Sequence, residues 1–297
     1  MRILITGTAG QVGHALRHEL AGMGELIAAD RSVLDLSAPP AIIRARVREL
    51  APQLIINPAA YTAVDRAEQE PEIAQAVNAL APGALAEEAR ALGCPLVHYS
   101  TDYVFDGSGE APWQEDDRCA PLSVYGRSKH EGELAIAASG ARHLVLRTSW
   151  VYSLGGRNFL ATMARLAGER PELRVVDDQF GAPTTSLAIA QATRALVQAL
   201  QAGTGPASGV YHLSCAGRVS WCGFARAIMA RLPQVRAALG LPACAVPTVT
   251  PITTADYPTP ARRPANSVLS NQKLAAASGI SLPHWEQALD ALLAAGH

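Results

Sequence analysis

The sequence is short of several things, and each shortage removes a class of function. It has no surplus of positive charge: 25 basic side chains face 26 acidic ones, for a formal net charge of −1. Without a basic patch to neutralise duplex phosphates, nucleic acid is not an expected partner. No apolar run approaches the roughly 20 residues that cross a bilayer. The opening Arg2-Ile3-Leu4-Ile5-Thr6-Gly7 is closed too soon by glycine for a signal peptide. A membrane partner is therefore not expected, and a cytoplasmic location is. Cysteine is scarce: Cys94, Cys119, Cys215, Cys222 and Cys244 are odd in number and form no C-x-x-C. That argues against a disulfide framework or a structural zinc site, and Cys215 and Cys222 read as small hydrophobes. A G-x-S-x-G elbow is missing, so a hydrolase has no support. Internal repeats and low-complexity segments are missing too.

What is present is an alternation of apolar runs and amphipathic stretches. The chain's 297 residues, 49% of them hydrophobic, suffice for one large α/β domain with an annex or for two modest domains. Strands are expected at 2–6, 25–30, 53–57, 95–100 and 143–148, and helices at about 11–23, 41–50 and 124–138. One or two further helices are expected within 67–92. This pattern predicts an α/β fold, a doubly wound parallel sheet of Rossmann type. Residues 1–152 form the expected nucleotide-binding domain and 153–297 mainly a smaller C-terminal substrate domain. The substrate domain is expected to be discontinuous, with 185–214 returning a strand near 209–213 to the first sheet. Prolines crowd 242–264, where no long helix is expected.

The strongest motif is Thr6-Gly7-Thr8-Ala9-Gly10-Gln11-Val12-Gly13, between the first strand and the first helix. Glycine there permits a tight turn, close approach of a pyrophosphate and close helix–strand packing, while the helix N-terminus offers N–H groups to the anion. Asp30, at the end of the second strand, suits the ribose hydroxyls of a dinucleotide, and the adjacent Arg31 suits a 2′-phosphate. NADH and NADPH therefore both remain open. Asp35 and Leu36 are candidates to lie along the adenine. Ala60, Tyr61 and Thr62 follow the next strand end, where small residues let backbone approach a cofactor. His14 and His18 share a helix face but find no third ligand, so no metal site is read there.

Tyr125 and Lys129 form a Y-x-x-x-K on one face of a helix. A neighbouring ammonium favours the phenolate, which suits tyrosine to proton transfer. Thr101 (or Ser100), at the end of the 95–100 strand, offers a hydroxyl to the same carbonyl oxygen. Trp150 is core or a stacking platform for a sugar or base. Arg262 and Arg263 are a solvated pair or a diphosphate clamp.

Together these segments resemble the extended short-chain dehydrogenase/reductases, and within them the dTDP-4-dehydrorhamnose reductase family. The resemblance also rests on 60–65, His98–Phe105, Arg147–Tyr152, Asp178–Thr184 and Tyr257–Pro264. It implies NAD(P)H-dependent reduction of the C4 ketone of dTDP-4-dehydro-β-L-rhamnose, the last step of dTDP-rhamnose synthesis. It implies Tyr125 as the acid, Lys129 as its partner and Thr101 in place of the usual serine. Gly10, Gln11, Val12, Asp30, Asp35, Leu36 and 60–62 are implied as cofactor contacts, and Thr101, Asp102 and Trp150 as substrate contacts. Pro58 stands where the family commonly has alanine. Ala15 stands where magnesium-linked dimers carry carboxylates, which speaks against a metal bridge and leaves monomer or homodimer open. Two alternatives are another nucleotide-sugar reductase, epimerase or dehydratase, and a non-catalytic NADP-binding regulatory subunit. The latter can lose Tyr125 or Lys129, and this chain has both.

Overall fold

Strand and helix alternate through the first half of the computed structural model, which describes residues 1–296. The order is β1 (Arg2–Ile5), α1 (Gln11–Glu19), β2 (Glu25–Ala28), α2 (Pro40–Leu50), β3 (Leu54–Asn57), α3 (Val64–Ala67) and α4 (Pro71–Gln75). A π-helical turn (Ala76–Leu80), α5 (Ala81–Leu92), β4 (Leu96–Thr101), α6 (Val124–Ser139) and β5 (His143–Thr148) follow. The second half starts with β6 (Val151–Tyr152), α7 (Phe159–Ala167), β7 (Glu172–Val176), β8 (Phe180–Gly181), β9 (Thr184–Thr185), α8 (Ser186–Gln201) and β10 (Gly209–His212). It ends with β11 (Val219–Ser220), α9 (Trp221–Ala230), α10 (Leu232–Ala238), β12 (Thr248–Ile252), α11 (Gln272–Ser278) and α12 (Trp285–Ala295).

Six parallel strands form the central sheet in the order β10-β5-β4-β3-β1-β2. Both faces are covered, which is why Ile3–Ile5 of β1 and Leu54–Ile56 of β3 are continuous apolar runs instead of alternating ones. Successive side chains feed opposite cores: Ile3, Ile5 and Ile56 join one, Leu4 and Ile55 the other. Helices α1 and α8 pack together on the first face, and α2, α5 and α6 line up on the second. The order reverses between β1 and β3, the switch point at which open α/β sheets bind ligands. β10 pairs with β5 through Gly209–His212, so a strand from the second half closes the sheet of the first.

Outside the sheet the chain builds three small ladders, β6-β9, β7-β12 and β8-β11, packed with α7, α9 and α10. Between Pro242 and Pro264 there is one strand and one 3₁₀ turn but no α-helix.

Two elements differ from the sequence reading. Helix α1 stops at Glu19, because the chain must reverse over 20–24 to set Glu25 beside Arg2. In 67–92 the helical run starts earlier, at Val64, and is widened by the π-turn. That turn carries Asn78, whose side chain bonds the Tyr61 N–H (2.8 Å), the Tyr61 carbonyl (3.0 Å) and Ser128 Oγ (3.1 Å). Such turns often mark functional sites, and this one fixes the loop after β3. Among the described residues no helix is long and apolar enough to cross a membrane.

Candidate active site

A cleft of about 1580 Å³ runs along the carboxyl ends of β1 to β5. That exceeds the ~300–1,000 Å³ of a typical single-ligand pocket and suits two ligands end to end. Its first wall is the glycine turn. Gly7 sits at φ +55°, and a Cβ at Gly13 would lie 2.2 Å from the Gly7 carbonyl, so turn and helix touch as they do only with glycine. No side chain caps the N-terminus of α1 at Gly10, which leaves its N–H groups for an anion. The Gln11 side chain is fixed by Ser153 and the Asn158 amide, both at 2.9 Å. These bonds latch the segment after β6 onto the helix start.

Gly7, Gly10, Gln11, Val12, Gly13, Asp30, Arg31, Asp35, Leu36, Ala60 and Thr62 all line the cleft. Asp30 lies two residues past β2, and its Oδ1 caps its own loop through Ser32 N (2.8 Å), Ser32 Oγ (2.6 Å) and Val33 N (3.2 Å). The Ser32 bonds hold its carboxyl below the ordinary aspartate range, so it stays an acceptor. Asp35 does the same for Ser37. Tyr61 sits apart from these residues. It is not part of the cleft wall, because its hydroxyl is committed to Glu70 and its backbone to Asn78.

The deep end gathers Thr101, Asp102, Tyr125 and Lys129. Thr101 Oγ1 accepts from the Tyr103 N–H (3.2 Å) and donates to Asp102 Oδ1 (3.0 Å). Burial pushes the Tyr125 phenol well above its ordinary range, opposed by a hydrogen bond with Thr101. Burial raises Asp102 to about 6, with the bond from the Thr101 hydroxyl opposing it. Its Oδ2 has no partner. Lys129 is lowered to about 8 by burial, with the Glu133 carboxylate opposing. Lys129 reaches Tyr99 O at 2.6 Å and His98 at 3.1 Å.

Trp150 lines the next stretch at φ +48°, a left-handed conformation costly for a bulky residue. It stacks on Trp221 with ring centroids 3.4 Å apart. The space for it exists because residue 181 is glycine: a Cβ there would lie 2.5 Å from the indole. Both arginines line a pocket that adjoins the cleft, and Arg263 alone of the two also lines the cleft. Arg263 is tied to Asp65 (2.8 Å) and the Tyr103 hydroxyl (3.3 Å). The adjoining pocket, of about 470 Å³, is also lined by Asp178, Gln179 and Tyr257. His14 and His18 are exposed at the cleft mouth.

Sequence reasoning missed Trp221, the latch on Gln11, and the pairing of Asn57 with His98 (2.9 Å) beneath Lys129. Trp221 carries no motif. Asn57 and His98 are polar residues inside apolar strands, a signal of a buried network. Cys119, His130 and Glu133 also converge at metal-ligand spacing. However, Arg147 holds both Glu133 oxygens (2.9 and 2.7 Å) and reaches Cys119 Sγ (3.2 Å), occupying the place of a cation.

The sequence matches the family described as RmlD substrate binding domain over residues 1–297. A dTDP-4-dehydrorhamnose reductase of Burkholderia thailandensis is 48% identical over 292 residues, 97% of each chain. The enzyme of that name from Escherichia coli is 43% identical over 99% of this chain and 97% of its own. Among solved structures, a Bacillus anthracis dTDP-4-dehydrorhamnose reductase in complex with NADP superposes with a TM-score of 0.87 at 32% identity, covering 99% of both chains. A Thermus thermophilus UDP-glucose 4-epimerase in complex with NAD, at 21% identity and TM-score 0.73 over 99% of both chains, shares the fold. The chain belongs to the RmlD substrate binding domain family.

Proposed function

We propose that this protein reduces the C4 ketone of dTDP-4-dehydro-β-L-rhamnose to dTDP-β-L-rhamnose with NADH or NADPH. One observation carries the reading: Thr101, Tyr125 and Lys129 line the same cleft as an uncapped glycine turn.

The residues fit a nicotinamide dinucleotide. Gly7, Gly10 and the start of α1 would hold its pyrophosphate, Asp30 or Arg31 the adenosine ribose or its phosphate, and Lys129 the nicotinamide ribose. When bound, the reduced nicotinamide supplies hydride to the ketone carbon. The chain supplies the proton. Burial keeps Tyr125 protonated at neutral pH, so its phenol is an acid ready to donate to the sugar oxygen. Thr101 adds a second hydroxyl to that oxygen. Asp102, with a buried Oδ2 that lacks a donor, accepts from a sugar hydroxyl. Trp150 is the platform beside it, and Arg262 and Arg263 serve the nucleotide diphosphate. In this reading residues 1–152 with 185–214 bind the cofactor, and most of 153–297 binds the sugar nucleotide.

Loss of NADH and NADPH absorbance with dTDP-4-dehydro-L-rhamnose made in situ tests the assignment. Turnover that regenerates free oxidised cofactor is expected. Isomerised sugar with the cofactor retained would point to an epimerase. Cofactor binding without turnover would point to a regulatory subunit.

A further inference from the structure

The segment that joins β6 to α7 crosses the start of α1, and its hydrogen bonds fix how it does so. Asn158 Oδ1 accepts the Ala161 N–H at 2.9 Å and so caps α7. That bond decides which way the Asn158 amide faces. Its nitrogen is left on the other side, where it donates to the Ser153 carbonyl at 2.8 Å and to Gln11 Oε1 at 2.9 Å. Gln11 therefore presents its oxygen to the segment, since the reversed amide would set nitrogen against nitrogen. Ser153 Oγ reaches the same Gln11 oxygen at 2.9 Å and the Gly155 carbonyl at 2.6 Å. Gly156 turns at φ +75°, and a Cβ on it would lie 3.7 Å from Gln11 Cγ. The backbone thus runs in contact with the first residue of the helix.

This crossing brings donors together. The N-terminus of α1 has no side-chain cap. The Gln11 amide nitrogen, turned away from Asn158, makes no hydrogen bond among the described residues. Arg157 follows Gly156, lines the cleft, is exposed, and makes no hydrogen bond or ion pair among the described residues. Other basic side chains of the cleft are engaged or stand elsewhere. Arg263 is held by Asp65 and Tyr103, and Lys129 by the Tyr99 carbonyl and His98 at the deep end. Arg31 follows Asp30, past the end of β2.

We propose that Ser153–Asn158 is a strap across the pyrophosphate of the nicotinamide dinucleotide, in which Arg157 pairs with the pyrophosphate and Gln11 is the latch that positions Arg157. The proposal rests on the reading of the cleft as a dinucleotide site. A pyrophosphate bridge carries two negative charges, and the glycine turn answers them with N–H dipoles alone. A guanidinium adds a full charge and forked donors. The latch consists of neutral hydrogen bonds, so it can open each time the cofactor leaves.

The same anion chemistry exists in the 2′-phosphate of NADPH and in the diphosphate of the sugar nucleotide, and binding separates the three. Calorimetric dissociation constants for NADP⁺, NAD⁺ and ADP at low and high salt are the measurement. ADP carries the pyrophosphate without the nicotinamide. Arg157→Gln, a change at an exposed side chain, should weaken all three ligands about 10-fold or more and flatten their salt dependence. Arg157→Lys should recover part of the loss. Gln11→Met keeps the stem and removes the latch. Combined with Arg157→Gln, it should weaken binding by less than the product of the two single losses.

Unchanged affinity in Arg157→Gln would overturn the proposal. A loss confined to NADP⁺ would assign Arg157 to the 2′-phosphate, and a rise confined to the KM of the sugar nucleotide would assign it to that diphosphate. Either result would also overturn it. Fully multiplicative losses in the double variant would overturn the latch. If the wild-type chain binds neither dinucleotide, the reading of the cleft itself fails, and the strap with it.

Discussion

At the scale of single residues, the site works by removing water from groups that water would level. The Tyr125 phenol and the Asp102 carboxyl are pushed up, and the Lys129 ammonium is pushed down, with burial as the largest cause in all three. In the proposed reading Tyr125 is thereby an acid that keeps its proton until charge develops on the substrate oxygen. Tyr125→Phe should lower kcat by about 10²–10⁴-fold and leave NADPH affinity nearly unchanged by fluorescence titration. Near-normal turnover would remove the acid assignment. Trp150 depends on a neighbour that has no side chain. In Gly181→Ala the new methyl must displace the indole from Trp221. The KM for the sugar nucleotide should rise about 10-fold or more, roughly 1.4 kcal/mol, with KM for NADPH little changed. An equal rise in both would mean general damage instead of a displaced platform.

At the scale of elements, α6 is the organising helix. Tyr125, Lys129 and Glu133 recur every four residues, so one stripe faces β4 and β5. The stripe ends in the Glu133–Arg147 pair, with both side chains no more than 4% exposed. Burial works against the Glu133 charge, yet the Arg147 and His130 contacts bring its carboxyl down to about 2. Glu133→Gln leaves Arg147 charged and unmatched, and should cost about 3–5 kcal/mol by urea unfolding. A loss below 1 kcal/mol would show that the arginine finds another partner. At the opposite end of the sheet, α1 meets β1 through Gly13. In Gly13→Ala the added methyl collides with the Gly7 carbonyl. KM for NADPH should rise with kcat at saturation preserved, and an unchanged KM would dissociate the turn from the cofactor.

At the scale of the whole molecule, buried titratable groups set the pH dependence of stability. His98 is held well below its ordinary range and His212 is lowered to about 3, both by burial. Below the unfolded histidine value of ~6.5 the unfolded chain takes up protons that the folded chain refuses. Stability therefore falls with falling pH, by up to about 1.4 kcal/mol per pH unit for each histidine. Glu133 adds a second loss as pH falls from the ordinary carboxylate range toward about 2. Asp102, raised to about 6, has the opposite sign and gains stability on acidification through that value. Two histidines and Glu133 outweigh one aspartate, so urea midpoints should drop between pH 6.5 and pH 4. His212→Asn should flatten that slope, and a flat wild-type profile would contradict the buried-neutral state of both histidines.

Legibility from sequence followed locality. The β1–turn–α1 corner, the apolar parallel strands and the i, i+4 pair on α6 are short-range patterns, set by backbone sterics, burial period and helix geometry. They were readable from residues 2–13 and 124–129 alone, and the order of motifs along the chain carried the family. What the sequence could not reveal depends on residues distant in the chain but adjacent in space. The turning away of Tyr61 toward Glu70 and the Trp150–Trp221 stack over Gly181 are cases of this kind. The line of hydrogen bonds from Thr6 through Asn57 and His98 to Lys129 is the clearest of them. Residue types and spacing determined which chemistry is present. Only packing decided which polar atoms lost water together, and that loss moves the Tyr125 phenol, the Lys129 amine and the Asp102 carboxyl away from their ordinary ranges.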